Sequence, residues 1–287
     1  MNEQPLVSVI CACYNHAPYI EACLNSVLQQ TYPAIELIVI DDGSSDGSIE
    51  KIRALQQQHG FYFEPQPNQG LAATLNKAIA LSKGQYIAQI GSDDIFTLDK
   101  IEKQVRFMES RPDIAICGGN MITIDAHGNA HEKQKQFPYR ELNFEDLFAQ
   151  RKAGIPASSS MIRRDVLDKE GAYAPDIRLE DMYLWFKLLS RGHIMAGLDD
   201  TLLYYRKHGS NTYRNYRFMY ENMMATYAPY KDHPLYDDVV NRYRLSSALA
   251  LAKHGDKPLA RNILKQIPLR YFSMKLLRGY FHAWRPF

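Results

Sequence analysis

The first hundred residues alternate between short apolar runs and amphipathic stretches, and this alternation limits the possible folds more than any other feature of the sequence. Apolar runs typical of strands cover Val7–Cys13, residues 35–40 and residues 85–90, while residues 71–81 repeat apolar side chains at helical spacing. Strand–helix–strand alternation of this kind predicts a parallel sheet with helices on its faces. We therefore predict an α/β fold for this part of the chain.

Two pairs of acidic residues directly follow predicted strands. Asp41 and Asp42 close one strand, and Asp93 and Asp94 follow the strand that ends at Ile90. Because ligands of parallel sheets bind at the carboxyl ends of the strands, both pairs should lie at one ligand-binding edge. Carboxylates that converge there repel unless a cation offsets them, and oxygen ligands suit Mg²⁺ or Mn²⁺. Either pair alone would be interpreted as solvated turn residues.

The sequence excludes several other nucleotide-binding arrangements. It contains no glycine motif for dinucleotides after the first strand and no phosphate-binding Walker loop. Residues 257–287 carry seven Lys or Arg and no acidic residue, so the net charge of +2 leaves −5 for the first 256 residues. An acidic body with a basic tail argues against nucleic acid as a partner.

Cysteine usage and hydropathy favour a reducing compartment. Four cysteines (Cys11, Cys13, Cys23 and Cys117) are too few and too irregularly spaced for a disulfide framework, and we expect Cys11 and Cys13 to be two buried thiols rather than a metal pair. No apolar run is long enough to span a bilayer, and the first residues lack signal-peptide character. The expected location is therefore cytoplasmic.

An ordered series of motifs resembles family-2 inverting glycosyltransferases of the GT-A fold, of the bacterial surface-polysaccharide type. The series covers roughly residues 5–212 and is specific as a series, although each motif alone is not. Its members are Val7-Ser8-Val9-Ile10 with Tyr14-Asn15, residues 26–32, residues 41–48, residues 68–71, residues 84–88 with Asp93-Asp94, residues 155–160 and residues 180–185. The resemblance implies a Rossmann-like, mostly parallel sheet flanked by helices.

The resemblance also implies a domain organisation. Residues 1–212 would form the nucleotide-sugar-binding and catalytic domain, and residues 213–287 a C-terminal helical extension with a basic aromatic tail. Within that extension, residues 249–267 resemble one helical hairpin of the tetratricopeptide type.

Donor and metal contacts follow from the resemblance position by position. The implied donor-binding residues are Ala12, Tyr14, Asp41, Asp42, Asn68, Gly70 and Asp93. The implied metal ligands for Mg²⁺ or Mn²⁺ are Asp93, Asp94 and His208. Which aspartate binds the metal stays open, because Gly91 stands where the family motif begins with an aspartate. Leu75 replaces an arginine that meets the diphosphate in many relatives, and His16 is interpreted as a loop residue.

Glu180 and Asp181 correspond to the catalytic acidic pair of the family. An acceptor hydroxyl must lose its proton as it attacks the anomeric carbon, and a carboxylate within hydrogen-bond reach is a suitable general base. We predict Asp181 as that base and Glu180 as its orienting neighbour. Alternatively, both residues only favour the dipole of a helix N-terminus, and His208 is a structural histidine.

The predicted activity is transfer of a hexose from a nucleoside-diphosphate sugar, with a UDP-sugar favoured, to a glycan or lipid-linked hydroxyl. The product would be a cell-surface polysaccharide or lipopolysaccharide. Alternatives are a sugar nucleotidyltransferase, although residues 13–16 lack its glycine-rich loop, and a catalytically degenerate binding module. The basic and aromatic residues 257–287 predict peripheral contact with the cytoplasmic face of the inner membrane, or else packing on the main domain.

Overall fold

The computed structural model describes residues 4–209, 211–271, 274 and 277 of the 287 residues. The chain divides into two compact units, Met1–His208 and Gly209–Phe287. All strands among the described residues belong to the first unit, and the described part of the second unit is helical.

The strands of the described residues are β1 (Val7–Cys13), β2 (Ile35–Asp41), β3 (Tyr62–Pro65), β4 (Tyr86–Gly91), β5 (Ile95–Phe96), β6 (Ile114–Ile124), β7 (Arg140–Leu142), β8 (Met161–Arg163) and β9 (Ile194–Arg206). The α-helices are α1 (Ile20–Leu28), α2 (Ser48–His59), α3 (Leu71–Leu81), α4 (Lys100–Ser110), α5 (Phe144–Phe148), α6 (Arg164–Glu170), α7 (Glu180–Ser190), α8 (Tyr216–Tyr227), α9 (Tyr236–Lys253) and α10 (Lys257–Lys265). Single 3₁₀ turns occupy Ala157–Ser159, Thr212–Arg214, Ala228–Tyr230 and Leu269–Tyr271.

The strands form one sheet in the order β3-β2-β1-β4-β8-β6-β9-β5, and β7 pairs with β9. The first four strands of this order are parallel, as are β6 and β9, whereas β8 is antiparallel to both of its neighbours. Helices flank this sheet, so the predicted α/β fold is confirmed. Because β1 lies between β2 and β4, these three strands end at the same edge.

The core explains why β1 is an almost unbroken apolar run. Val7, Val9, Ile10 and Cys11 are fully buried, because both faces of this central strand are covered. All four cysteines are buried free thiols, which agrees with the prediction of buried thiols at Cys11 and Cys13.

One stretch differs from the sequence prediction. The polar composition of residues 126–150 predicts a loop, but the stretch contains β7 and α5; the side chain of Asn143 caps α5 by accepting a hydrogen bond from the Asp146 main-chain N–H. For residues 114–124 the sequence pattern predicts one or two strands, and they form the single strand β6 with Gly118-Gly119 within it. A Cβ atom at Gly118 would lie 2.7 Å from the Ser159 hydroxyl oxygen, so the glycine permits close packing rather than a turn.

The second unit contains the predicted helical hairpin, formed by α9 and α10. Its core consists of Leu245, Ala248, Leu251, Ala252, Ala260, Ile263, Leu264 and Ile267. The first helix begins at Tyr236, earlier than the sequence pattern indicated. None of the described helices is both long and apolar enough to cross a membrane. Of the basic and aromatic residues 257–287, positions 272, 273, 275, 276 and 278–287 lie outside the described residues.

Candidate active site

The carboxyl ends of β1, β2 and β4 form the edge at which the sequence places both acidic pairs. In the strand registers, Cys13 is opposite Asp41 of β2, and Ala12 is opposite Gly91 of β4. Ala12 is half-buried, and Tyr14, which directly follows β1, is 52% exposed. The predicted location of the pairs at one edge is therefore confirmed, whereas the roles of these residues in binding a donor stay predictions.

Asp41 closes its own turn. Its Oδ1 accepts hydrogen bonds from the main-chain N–H groups of Gly43 (3.2 Å) and Ser44 (2.8 Å), and its Oδ2 accepts one from the Ser44 hydroxyl (2.6 Å). The residue is fully buried. The Asp41 carboxylate therefore supports this turn, and the contact between Asp41 and a nucleobase that the resemblance implies stays a prediction.

Asp42 ties the end of β2 to the segment before α3. Its Oδ1 accepts hydrogen bonds from the Gln66 side-chain amide (2.9 Å) and the Gln69 main-chain N–H (2.8 Å). Its Oδ2 accepts one from the Gly70 main-chain N–H (2.9 Å), and its own carbonyl oxygen accepts one from the Asn68 side chain (2.9 Å). The structure thus brings together three of the predicted donor-binding residues.

The close approach of these two segments depends on glycine at position 43. Gly43 has φ of +85°, and a Cβ atom there would lie 3.0 Å from the Asn68 main-chain nitrogen. Any other residue would therefore be strained and would push the Asn68 segment away from Asp42.

Asp93 and Asp94 face different surroundings. Asp94 is 2% exposed, and its Oδ1 accepts a hydrogen bond from the Arg206 main-chain N–H (2.9 Å). The Asp93 side chain is 15% exposed, and its Oδ2 lies 2.8 Å from Nε2 of His208. Asp94 is thus a buried carboxylate that holds the end of β9, and Asp93 is a more exposed carboxylate beside His208.

The surroundings of Asp94 explain why the family's first aspartate is a glycine here. Burial, and then the charge of Asp93, raises the pKa of Asp94 to about 8. A Cβ atom at Gly91 would lie 3.0 Å from oxygens of Asp93, Asp94 and Ser158. The Ser158 hydroxyl accepts a hydrogen bond from the Gly91 main-chain N–H (3.0 Å), which fixes this strand end. A third carboxylate at position 91 would crowd these oxygens and add a negative charge beside two existing carboxylates.

Two histidines flank Asp93. The His208 ring stacks on Tyr19 with 5.0 Å between centroids, and the centroid of the His16 ring lies 5.6 Å from that of His208. His16 Nδ1 lies 2.7 Å from the Ser92 hydroxyl oxygen. Burial lowers the pKa of His16, although the charge of Asp93 opposes this. His16 lies in the loop between β1 and α1, as the sequence indicated, and its ring stands beside that of His208.

The donor set around Asp93 fits a divalent cation. One ligand atom each of His16, Asp93 and His208 lies within 4.8 Å of the other two. Carboxylate oxygens and imidazole nitrogens are common ligands of divalent metals. Of the predicted ligands, Asp93 and His208 belong to this group, whereas Asp94 does not, because its carboxylate is turned towards the main chain of Arg206.

The third acidic pair, Glu180 and Asp181, begins helix α7. Glu180 is 9% exposed, Asp181 is half-buried, and Oδ1 of Asp181 accepts a hydrogen bond from the Met182 main-chain N–H (2.7 Å). Burial raises the pKa of both carboxyls, and the charge of Asp181 adds to the rise for Glu180, which reaches about 8. Burial and the charges of this pair also raise the pKa of Tyr173, whose hydroxyl donates to Oε1 of Gln89 (2.7 Å).

The contact between Tyr173 and Gln89 relates the two acidic clusters. Gln89 and Gly91 are two residues apart in β4, so their side-chain directions share one face of the sheet. The charges of Glu180 and Asp181 act on Tyr173, which binds Gln89, and the side chains of Asp93 and Asp94 lie close to the position of Gly91. Gln89 and Gly91 are about 7 Å apart along the strand.

Position 75, where many relatives have an arginine, offers no basic side chain to a diphosphate in this chain. Leu75 is 1% exposed within α3. Arg206 is also buried: its guanidinium donates to the carbonyl oxygens of Asp93 (2.8 Å) and Asp125 (3.1 Å) and lies 5.0 Å above the Tyr19 ring. Arg206 therefore braces the loops around Asp93.

Comparison of the sequence with known proteins identifies related glycosyltransferases. The profile described as "Glycosyl transferase family 2" matches residues 8–171. The chain is 34% identical over 211 residues to "Putative teichuronic acid biosynthesis glycosyltransferase TuaG" of Bacillus subtilis, covering 71% of this chain and 80% of that protein. It is 29% identical over 202 residues to "Amylovoran biosynthesis glycosyltransferase AmsE" of Erwinia amylovora, covering 69% and 75%.

Solved structures with the same fold include two glycosyltransferases. S. aureus TarS in complex with UDP-GlcNAc matches with a TM-score of 0.71 at 16% identity, covering 96% of this chain and 87% of that chain. The mannosyltransferase PcManGT of Pyrobaculum calidifontis, in complex with GDP-Man and Mn²⁺, matches with a TM-score of 0.60 at 16% identity, covering 99% and 88%. The GT-A fold predicted from the sequence is therefore confirmed.

Proposed function

Because the chain belongs to glycosyl transferase family 2, we propose that it transfers a sugar from a nucleoside-diphosphate sugar to a hydroxyl of a glycan or lipid-linked acceptor. The names of TuaG and AmsE support a role in the assembly of a cell-surface polysaccharide. The UDP-GlcNAc complex of TarS, which shares the fold, favours a UDP-sugar as donor. The observation that supports the proposal most is that Asp93 and His208 lie 2.8 Å apart beyond the carboxyl end of β4 and, with His16, offer ligand atoms suited to a cation.

The donor's nucleoside would bind at the carboxyl end of β1. Tyr14 is exposed there and offers an aromatic ring to a base, beside the half-buried Ala12. Asn68 and Gly70 are held at this edge by Asp42, so the three residues would contact the base and ribose as one rigid unit. Asp42 is the carboxylate that we assign to the nucleoside, since Asp41 is enclosed by its own turn.

The diphosphate would lie near Asp93 and His208. A divalent cation, Mg²⁺ or Mn²⁺, held by these two residues would supply positive charge against the leaving group. This chain needs such a charge because Leu75 stands where relatives have an arginine. Asp93 would face the cation and the ribose, while Asp94 keeps Arg206 and the end of β9 in place.

Asp181 would act as the general base. The acceptor oxygen attacks the anomeric carbon while its proton passes to the Asp181 carboxylate and the bond to the diphosphate oxygen breaks. A single displacement from the face opposite the leaving group inverts the anomeric configuration. Glu180 would orient the acceptor and, because its pKa is raised to about 8, stay protonated at neutral pH, so that the base carries the charge of the pair.

We assign catalysis to residues 1–212 and acceptor or membrane contact to residues 213–287. The seven basic residues of 257–287 would bind anionic lipids at the cytoplasmic face of the inner membrane. Deletion of residues 269–287 tests this part of the proposal. Unchanged membrane fractionation together with unchanged activity would refute it.

The test of the activity is a panel of nucleotide sugars, with release of nucleoside diphosphate measured with and without a chelator. We expect release that requires an acceptor glycan and stops in the chelator, and a product of inverted configuration by NMR. Formation of pyrophosphate from a sugar phosphate and a nucleoside triphosphate would support a nucleotidyltransferase instead. Binding of donors without release of nucleoside diphosphate would support a non-catalytic module.

A further inference from the structure

Three side chains from distant parts of the chain meet just beyond the carboxyl end of β4. His16 follows β1, Asp93 follows β4 and His208 follows β9, and one ligand atom of each lies within 4.8 Å of the others. A metal ion binds imidazole nitrogen or carboxylate oxygen at about 2.1 Å. One ion therefore reaches all three atoms after a small closure of the side chains.

Hydrogen bonds and ring contacts hold each of the three side chains in place. His208 is 5% exposed at its side chain, stacks on Tyr19 and lies 2.8 Å from Asp93. The main-chain N–H of His16 donates to the Ser48 hydroxyl (3.0 Å). Fixed outer contacts of this kind orient metal-binding side chains and raise metal affinity.

The Ser92 hydroxyl selects which nitrogen of His16 can bind an ion. It lies 2.7 Å from Nδ1 of His16, which leaves Nε2 as the nitrogen available to a ligand. Ser92 precedes Asp93 directly, so one short segment supplies both a carboxylate and the hydroxyl that orients the histidine. Sequence distance conceals this arrangement, since residues 16 and 92 are far apart in the chain.

We propose that His16 is a third protein ligand of the cation, so that the site takes a transition-metal ion such as Mn²⁺ in preference to Mg²⁺. This inference rests on the proposed function insofar as Asp93 and His208 hold a cation. Two imidazoles with one carboxylate suit Mn²⁺, Co²⁺ and Zn²⁺, whereas Mg²⁺ prefers oxygen ligands and retains water. His16 thus determines metal selectivity in this chain.

The test measures metal binding directly. The chelator-treated full-length protein is titrated with Mn²⁺ or Mg²⁺ alone and again with UDP, by calorimetry and by the electron paramagnetic resonance of free Mn²⁺. We expect the wild type to bind Mn²⁺ at least about tenfold more tightly than Mg²⁺, and His16→Ala to lose about 10- to 100-fold in Mn²⁺ affinity. His16→Asp should narrow the preference for Mn²⁺ over Mg²⁺, because it replaces a nitrogen by oxygen.

The control is His127→Ala, which removes an exposed imidazole outside the cluster and should leave both affinities unchanged. Circular dichroism and urea midpoints verify that the variants fold. Wild-type Mn²⁺ affinity in His16→Ala, or no Mn²⁺ binding by the wild type, overturns the inference and indicates a hydrogen-bonded histidine pair only. Because binding is measured without a sugar donor, failure of transfer with every donor would refute the proposed function and leave this result standing.

Discussion

Replacement of Glu180 by glutamine should stabilise the protein at alkaline pH. Glu180 is 9% exposed beside Asp181, and burial is the main reason that its pKa rises from the ordinary 4.5 to about 8. The unfolded chain releases this proton near pH 4.5, whereas the folded protein holds it up to about pH 8. Since the folded state binds more protons within that window, stability falls as pH rises through it.

The size of the effect follows from the same values. Below pH 4.5 the carboxyl is protonated in both states and contributes nothing; above pH 8 the full cost of burying the charge is present. At about 1.4 kcal/mol per pH unit, the rise in the pKa of Glu180 limits this cost to about 5 kcal/mol. Glutamine has nearly the same shape and cannot ionise. We therefore expect Glu180→Gln to reduce the stability lost between pH 5 and pH 9 by about 2 to 5 kcal/mol.

Urea unfolding at pH 5 and pH 9, followed by circular dichroism, measures this difference. Glu132→Gln is the matched control, because Glu132 is exposed. The free energy of unfolding of the control should depend on pH as that of the wild type does. If Glu180→Gln also retains the wild-type dependence, the carboxyl is not buried as described and the reasoning fails.

Three further predictions use the same site. Gly43→Ala should destabilise the fold by about 2 to 4 kcal/mol and weaken donor binding. Gly60→Ala is the control, because Gly60 also has positive φ but lies in open space, and it should cost only about 1 kcal/mol. Equal losses of unfolding free energy in urea would contradict the close approach of Gly43 to Asn68. Gly91→Asp, which restores the family's first aspartate, should lower both the melting temperature and the activity, and a gain in activity would contradict the packing at β4. The kcat/KM for transfer should rise with pH, because burial raises the pKa of Asp181 and the base acts only when it is ionised; Glu180→Gln should keep this rise because it retains Asp181, and a flat profile for the wild type would refute the assignment.

The sequence predicted the parts of the site that depend on local pattern. Helix α3 has the predicted bounds, and the acidic pairs follow β2 and β4 because apolar runs that end in acidic residues mark strand ends. The different hydrogen-bond partners of Asp41 and Asp42 could not be predicted, since both residues are strand-end aspartates in the sequence. Successive side chains at a strand end point to opposite sides, and only the packing of the 66–70 segment decides which of them meets it.

The position of His16 beside Asp93 and His208 could not be predicted for a related reason. Its neighbours Asp93 and His208 come from strand ends far along the chain, and the sheet order that brings them together is not contained in any local motif. Residues 126–150 were interpreted as loop because their polar composition conceals β7, which is only three residues long. The contact between Tyr173 and Gln89 could not be predicted either, because neither residue belongs to a sequence motif that indicates the other as its partner.

The measurement that tests the account most directly compares Asp181→Asn with the wild type in two assays, donor binding by calorimetry and single-turnover transfer to an acceptor glycan. Asp176→Asn, an exposed aspartate of the loop before α7, serves as control. We predict that Asp181→Asn binds the donor with wild-type affinity and transfers its sugar at least about 100-fold more slowly, because the acceptor proton has no base. Transfer at the wild-type rate would contradict the central claim that Asp181 removes that proton.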